Sequence, residues 1–222
     1  MRRPHENMFT RSHNDSPAED HKMHIIYVQT LAGGTGVTTV SSEIAGEWHE
    51  GDATILALDL GHNQMLGDML TCLDFELIGD VSDLFWSDLG RKLKARQGCA
   101  FPKMSLMSLG DDWDTYRRCS ENALLGEDGH RSLQDAQDHF ARQLDGLAPF
   151  FDVCIVDLSK APRHLKQMFV ELSNEIRFCE RQTHENSTWE AFHEEYLMNA
   201  NRKSGQTWMK YADRGDKGPI PI

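Results

Sequence analysis

The stretch Gln29-Thr-Leu-Ala-Gly-Gly-Thr-Gly-Val-Thr-Thr39 (QTLAGGTGVTT) decides how the chain is read. It follows a short β-branched and aromatic run, His24–Gln29 (HIIYVQ), and precedes a segment of helical periodicity, so the glycines fall at a strand-to-helix corner. Glycines at such a corner let successive backbone N–H groups turn inward around an anion, and the following helix adds its positive end. Gly33, Gly34 and Gly36 supply the turns, Thr35 lies between them, and Thr38 and Thr39 open the helix. Thr38 falls where a hydroxyl holds Mg²⁺ in phosphate-binding loops; the residue before it is ordinarily a lysine that reaches the terminal phosphates. Here that residue is Val37, and the loop contains no lysine. A plain glycine-rich turn is the alternative reading. Two later apolar runs that end in acids, Asp59 and Asp157, favour the nucleotide-type loop.

Outward from the loop, strand-like and helix-like segments alternate. Val37–His49 places Val40, Ile44 and Trp48 on one helical face. Thr54–Asp59 (TILALD), Lys103–Leu109 and Phe151–Asp157 (FDVCIVD) read as buried strands, and Glu175–Cys179 as a weaker one. Val81–Arg96, Ser132–Leu147 and Thr188–Asn199 read as helices. Alternation of this kind predicts an α/β fold: a mostly parallel sheet flanked by helices, with the loops after the strands on one ligand-facing edge. Residues 1–22 are polar and aperiodic and are expected to form a disordered leader; 23–200 form the domain; 201–222 are expected to be a flexible tail.

The chain of 222 residues carries 35 acidic against 23 basic side chains, a formal charge of −12. Sequence-independent nucleic-acid binding draws its affinity from lysine and arginine, so this balance argues against that role. No apolar run approaches the roughly 20 residues that span a bilayer, and no apolar segment follows the N-terminal arginines, so a cytoplasmic protein is expected. The five cysteines are scattered singly and read as reduced thiols. The histidines have no metal-binding spacing, and Asp111, Asp112 and Asp114 read as a solvated acidic turn.

The segment AGGTGVTT resembles the deviant phosphate-loop signature KGGxGKTT of the ParA/MinD ATPases, P-loop NTPase-like proteins that position cellular machinery. Ala32 stands at the signature lysine and Val37 at the loop lysine. The family's acid–x–acid motif falls on DLG: Asp59 matches the first acid, and Gly61 occupies the place of the acid that orients attacking water. Asp157 in CIVDLSKAP matches the strand-end aspartate that helps hold Mg²⁺. The resemblance implies a phosphate cradle at Gly33, Gly34, Thr35, Gly36, Val37, Thr38 and Thr39, a metal set of Thr38, Asp59 and Asp157, and ATP or ADP with Mg²⁺ as cofactor. With both lysines and the water-orienting acid absent, it also implies a degenerate ATPase with no catalytic residue to name, because phosphoryl transfer depends on positioning and charge neutralisation.

Two branches of that superfamily tolerate lysine loss. The layout from Met104 to Pro162 is similar to the BcsQ/YhjQ family encoded with bacterial cellulose synthase. The pilus-localisation proteins of the TadZ/CpaE type are the second choice, because they usually carry an N-terminal receiver-like domain. The first resemblance implies a scaffold or spatial organiser whose partner is a cellulose-synthase component or another secretion-machine protein. A homodimer resting on packing, no direct membrane anchor and a C-terminal end shortened relative to a full family domain are also expected. Two alternatives stay open: a slow ATPase that recruits a cation from elsewhere, with Lys160 nearest by motif, and a nucleotide-free structural subunit.

Overall fold

A computed structural model describes residues 22–31, 35–61, 65–81, 84, 103–108, 133–159, 163–180, 191–198, 206–212 and 220–221. Strands β1 (His24–Gln29), β2 (Ile55–Asp59), β3 (Phe75–Asp80), β4 (Met104–Ser108), β5 (Val153–Asp157), β6 (Glu175–Glu180), β7 (Thr207–Ala212) and β8 (Ile220–Pro221) form one eight-stranded sheet in the order β3-β4-β2-β5-β1-β6-β7-β8. All neighbouring pairs run parallel except β7 with β8. The described helices are α1 (Val37–Glu50), α2 (Met65–Met69), α3 (Leu133–Leu147) and α4 (Arg163–Leu172), followed by a π-helical turn at His193–Leu197.

The strand period of two divides the core into two layers, one on each face of the sheet. Ile26 and Val28 of β1, Ile55 and Ala57 of β2, and Val153 and Ile155 of β5 pack with Val37, Ile44 and Ala45 of α1 and Leu66 of α2. The intervening residues Tyr27, Leu56, Leu58, Cys154 and Val156 face the other way, against Phe140, Leu144 and Leu147 of α3 and Phe169 of α4. Phe169 meets Tyr27 with ring centroids 6.1 Å apart and Phe140 edge-on at 5.3 Å. A sheet covered on both faces needs apolar strands throughout, which is why β2 and β5 are continuous hydrophobic runs.

Expected and observed elements agree at β1, β2, β4, β5, β6, α1 and α3 to within one or two residues at most ends. Most of the expected helix Val81–Arg96 and the acidic turn at Asp111 lie outside the described residues. Other elements differ from the sequence reading: α2 and β8 have no counterpart in it, and the described part of the expected helix Thr188–Asn199 includes a π-helical turn. Strand β3 lies at the sheet edge with Leu77 largely exposed, so its alternation is poor. Helix α4 carries Met168, Phe169 and Val170 in a row, which blurs helical periodicity. Strand β7 lies inside the segment expected to be a flexible tail: it pairs with β6 from Glu175↔Thr207 to Glu180↔Ala212. Just before it, the Gln206 amide donates to the Val170 carbonyl at 2.8 Å and the Ser173 carbonyl at 3.0 Å, tying that segment to the end of α4. Its order comes from pairing with β6 rather than from a pattern of its own. No described helix is long and apolar enough to cross a membrane.

Candidate functional site

Strand β1 sits mid-sheet between β5 and β6. From it the chain passes over β5 to reach β2, and from β5 it passes over β1 to reach β6, so the loops diverge at the C-terminal edge and leave a crevice there. The glycine loop leaves β1 at this crevice. Gly36 has φ of 82°, the left-handed region where a side chain is strained, and its carbonyl accepts the first helical hydrogen bond from the Val40 N–H at 2.9 Å. No acidic side chain lies in the first turn of α1, which leaves the positive helix end unopposed by its own residues. Gly33 and Gly34 lie outside the described residues; Thr35, Gly36, Thr38 and Thr39 are half-buried at the corner. Val37 is different. It is 3% exposed and packs in the α1-side core.

Asp59 and Asp157 end neighbouring strands and are register partners. Both belong to the α1 side of the sheet by alternation, and both are buried, at 1% and 0% exposure. Asp59 accepts hydrogen bonds from the N–H groups of Gly61 at 3.1 Å and Leu66 at 2.9 Å. These oppose, without cancelling, two forces that disfavour its charge: burial first, then the negative field of Asp157, and together they push Asp59 up to about 6. Burial likewise raises Asp157; the Ser159 N–H, at 2.9 Å from Oδ1, and the hydroxyls of Thr38 and Ser159 pull it back. Asp157 Oδ2 is buried without a hydrogen-bond partner.

Gly61 has no room for a side chain. A Cβ there would lie 2.5 Å from Ser159 Oγ, 3.2 Å from Asp59 Oδ1 and 3.7 Å from Asp157 Oδ1, so both carboxylates and the serine hydroxyl converge on one point. The cluster is hard oxygen, electron-rich and partly unsatisfied, the donor chemistry that suits Mg²⁺ rather than a soft metal. Thr38, Asp59 and Asp157 are thus brought together, and Ser159 joins them. Ser159 is not singled out by sequence pattern, and its only local signal is its place two residues beyond a strand-end acid.

Other chemistry-bearing groups lie elsewhere. Burial raises the thiols of Cys154 and Cys179, the latter to about 12, so both are inert core residues. His24 stacks on Trp48 at 6.1 Å and lies 3.4 Å from Glu175. Lys160 lies outside the described residues. A different lysine, Lys166 of α4, is buried on the other face of the sheet and donates to the Thr30 carbonyl at 2.8 Å, at the mouth of the glycine loop.

Solved structures share this fold. The ParA-family ATPase of Chlorobium tepidum TLS matches with a TM-score of 0.57 at 13% identity, over 89% of this chain and 76% of that one. Cobyrinic acid a,c-diamide synthase from Mycobacterium smegmatis, solved with ADP and magnesium, matches with a TM-score of 0.61 at 17% identity, over 86% and 74%. The kinase domain of the Escherichia coli tyrosine kinase ETK gives 0.51 at 15%, over 90% and 71%. The chain therefore has the α/β fold of ParA-type P-loop proteins, and identities this low establish nothing finer. No family model matches the chain, and no curated protein does.

Proposed function

We propose that the chain is a catalytically degenerate ParA/MinD-like protein that binds ATP or ADP with Mg²⁺ and serves as a spatial organiser for bacterial cellulose synthesis and secretion. The single observation that carries the first half is the contrast at the loop. The strand, left-handed Gly36 and helix corner is kept, whereas the position of the loop lysine is a core valine. The phosphates would rest on the backbone N–H groups of residues 33–39 and the positive end of α1. Mg²⁺, when bound, neutralises phosphate charge; Thr38, Asp59 and Asp157 would hold it, and the raised pKa of Asp59 and the unpartnered Asp157 Oδ2 fit such an ion.

Hydrolysis is a separate matter. One electrostatic donor in a transition state is worth roughly 3–4 kcal/mol, and neither Ala32 nor Val37 supplies one. At residue 61, where an acid would orient water, Ser159 and Asp59 fill the space a side chain needs. Nucleotide would then act as a structural ligand that selects a docking-competent form, and any homodimer would rest on packing rather than on a lysine crossing the interface.

The cellulose assignment draws on the similar layout of loop and aspartate strand to the BcsQ/YhjQ family. Its test is equilibrium binding between the full chain and the cytoplasmic part of a cellulose-synthase complex, with and without Mg·ATP. Saturable binding that tightens with nucleotide is expected. Absence of binding in both conditions overturns that partner and leaves the pilus-type machines as the next to assay.

A further inference from the structure

The face of the sheet opposite the acid pair holds a second polar group at the same edge. Phe169 packs on Tyr27; one turn earlier on α4 comes Lys166, and two residues later on the same face of β1 comes Gln29. Because α4 runs antiparallel to β1, these steps bring Lys166 and Gln29 to the same height, at the end of the strand. The Lys166 ammonium confirms it by bonding Thr30, the next residue. Gln29 is 0% exposed, and neither its amide nitrogen nor its amide oxygen has a hydrogen-bond partner. Lys166 is 8% exposed, and among the described residues no carboxylate makes an ion pair with it. Glu195, exposed on the π-helical turn, acts on it only through its field, and burial lowers its pKa against that field. Apolar rings surround the place: Phe178 is the register partner of Gln29 and stacks on Phe192 at 4.9 Å.

A neutral donor would satisfy the Thr30 carbonyl as well. A buried ammonium is unfavourable without a close counter-charge, and among the described residues none forms an ion pair with Lys166, so a lysine here is suited to an anion from outside. We propose that Lys166 is the missing cation of the phosphate site and that the neutral amide of Gln29 assists it; the two would take an oxygen of the polyphosphate whose Mg²⁺ Asp59 and Asp157 would hold. The cation absent from the loop arrives from α4, on the other face of the sheet. Two N–H groups of Lys166 and the amide NH₂ of Gln29 are the donors. The two acids and the one cation match a magnesium polyphosphate in sign at each end. This assignment rests on the nucleotide-binding reading and goes beyond it by naming the residues that take the charge.

The test is calorimetric titration of the full chain with Mg·ADP and with magnesium tripolyphosphate, at several salt concentrations. Lys166→Met keeps volume and loses charge, and it should weaken both ligands roughly tenfold to hundredfold, the range of one charge-assisted hydrogen bond. It should also flatten the salt dependence, whereas Lys166→Arg should stay within about threefold of wild type. Gln29→Leu leaves the ammonium in place and should weaken tripolyphosphate severalfold, which keeps the assignment testable if Lys166→Met does not fold. Wild type that binds, with Lys166→Met and Gln29→Leu binding equally well, overturns this assignment alone. Wild type that binds neither ligand overturns the nucleotide reading and this assignment with it.

Discussion

Asp59→Asn should make the ligand-free protein more stable at neutral pH. The native carboxyl, at 1% exposure, is shifted from 3.8 to about 6 by burial and by Asp157. A shift of that size corresponds to about 3 kcal/mol of destabilisation once both states are ionised. The amide removes this cost but offers one oxygen where the carboxylate offers two, so either the Gly61 or the Leu66 N–H loses its partner. Subtracting about 1–1.5 kcal/mol for that bond leaves a gain of about 1.5–2 kcal/mol at pH 7.5, or about 3–8 °C in Tm for a chain of this size. The pH dependence has a definite sign. A group whose folded pKa exceeds its unfolded pKa stabilises most below the unfolded value, and that stability is lost as pH rises through the folded value. Wild type should therefore lose about 1.5 kcal/mol between pH 5 and pH 7.5 from this group, and Asp59→Asn should lack that loss. Urea unfolding in EDTA at the two pH values measures both. A variant less stable than wild type at pH 7.5, or one with an unchanged pH profile, would refute the reasoning.

Three further substitutions test the site's packing. Val37→Lys places an ammonium where a side chain is 3% exposed; it should cost about 3 kcal/mol or more in urea unfolding and restore no ATP turnover. Gly61→Asp drives a Cβ to 2.5 Å from Ser159 Oγ and adds a carboxyl beside Asp59, so a loss of about 2–4 kcal/mol is expected. Part of that loss should return when Ser159→Gly is made in the same chain, as thermal unfolding would show. Gly36→Ala meets open space, so its cost should be only the left-handed backbone term, about 1–2 kcal/mol.

How much of this was legible in the sequence follows from what each feature depends on. The β1–loop–α1 corner is local: apolar β-branched residues, then glycines, then a helix of the expected extent, although its buried face is Val37, Ser41, Ile44 and Ala45, with Val40 and Trp48 of the expected face only partly buried against that layer. Asp59 and Asp157 were legible because each ends a strand buried on both faces. The Lys166–Thr30 contact was not, since 136 residues separate its ends and α4 is cued mainly by Pro162 just before it. Gln29 reads as the last residue of a strand, and its unpartnered amide exists only once α4 has closed over it. The restriction at Gly61 likewise depends on Ser159, brought beside it by the pairing of β2 with β5. Strand β7 takes its register from β6 and from the Gln206 anchor, neither of which leaves a periodic trace.

Titration of the full chain with Mg·ATP, followed by phosphate-release measurement on the same sample, tests the central claim most directly. Saturable binding with phosphate release no faster than the protein-free blank is the expected result. Phosphate release that Thr38→Ala abolishes, or the absence of any binding heat, would contradict it.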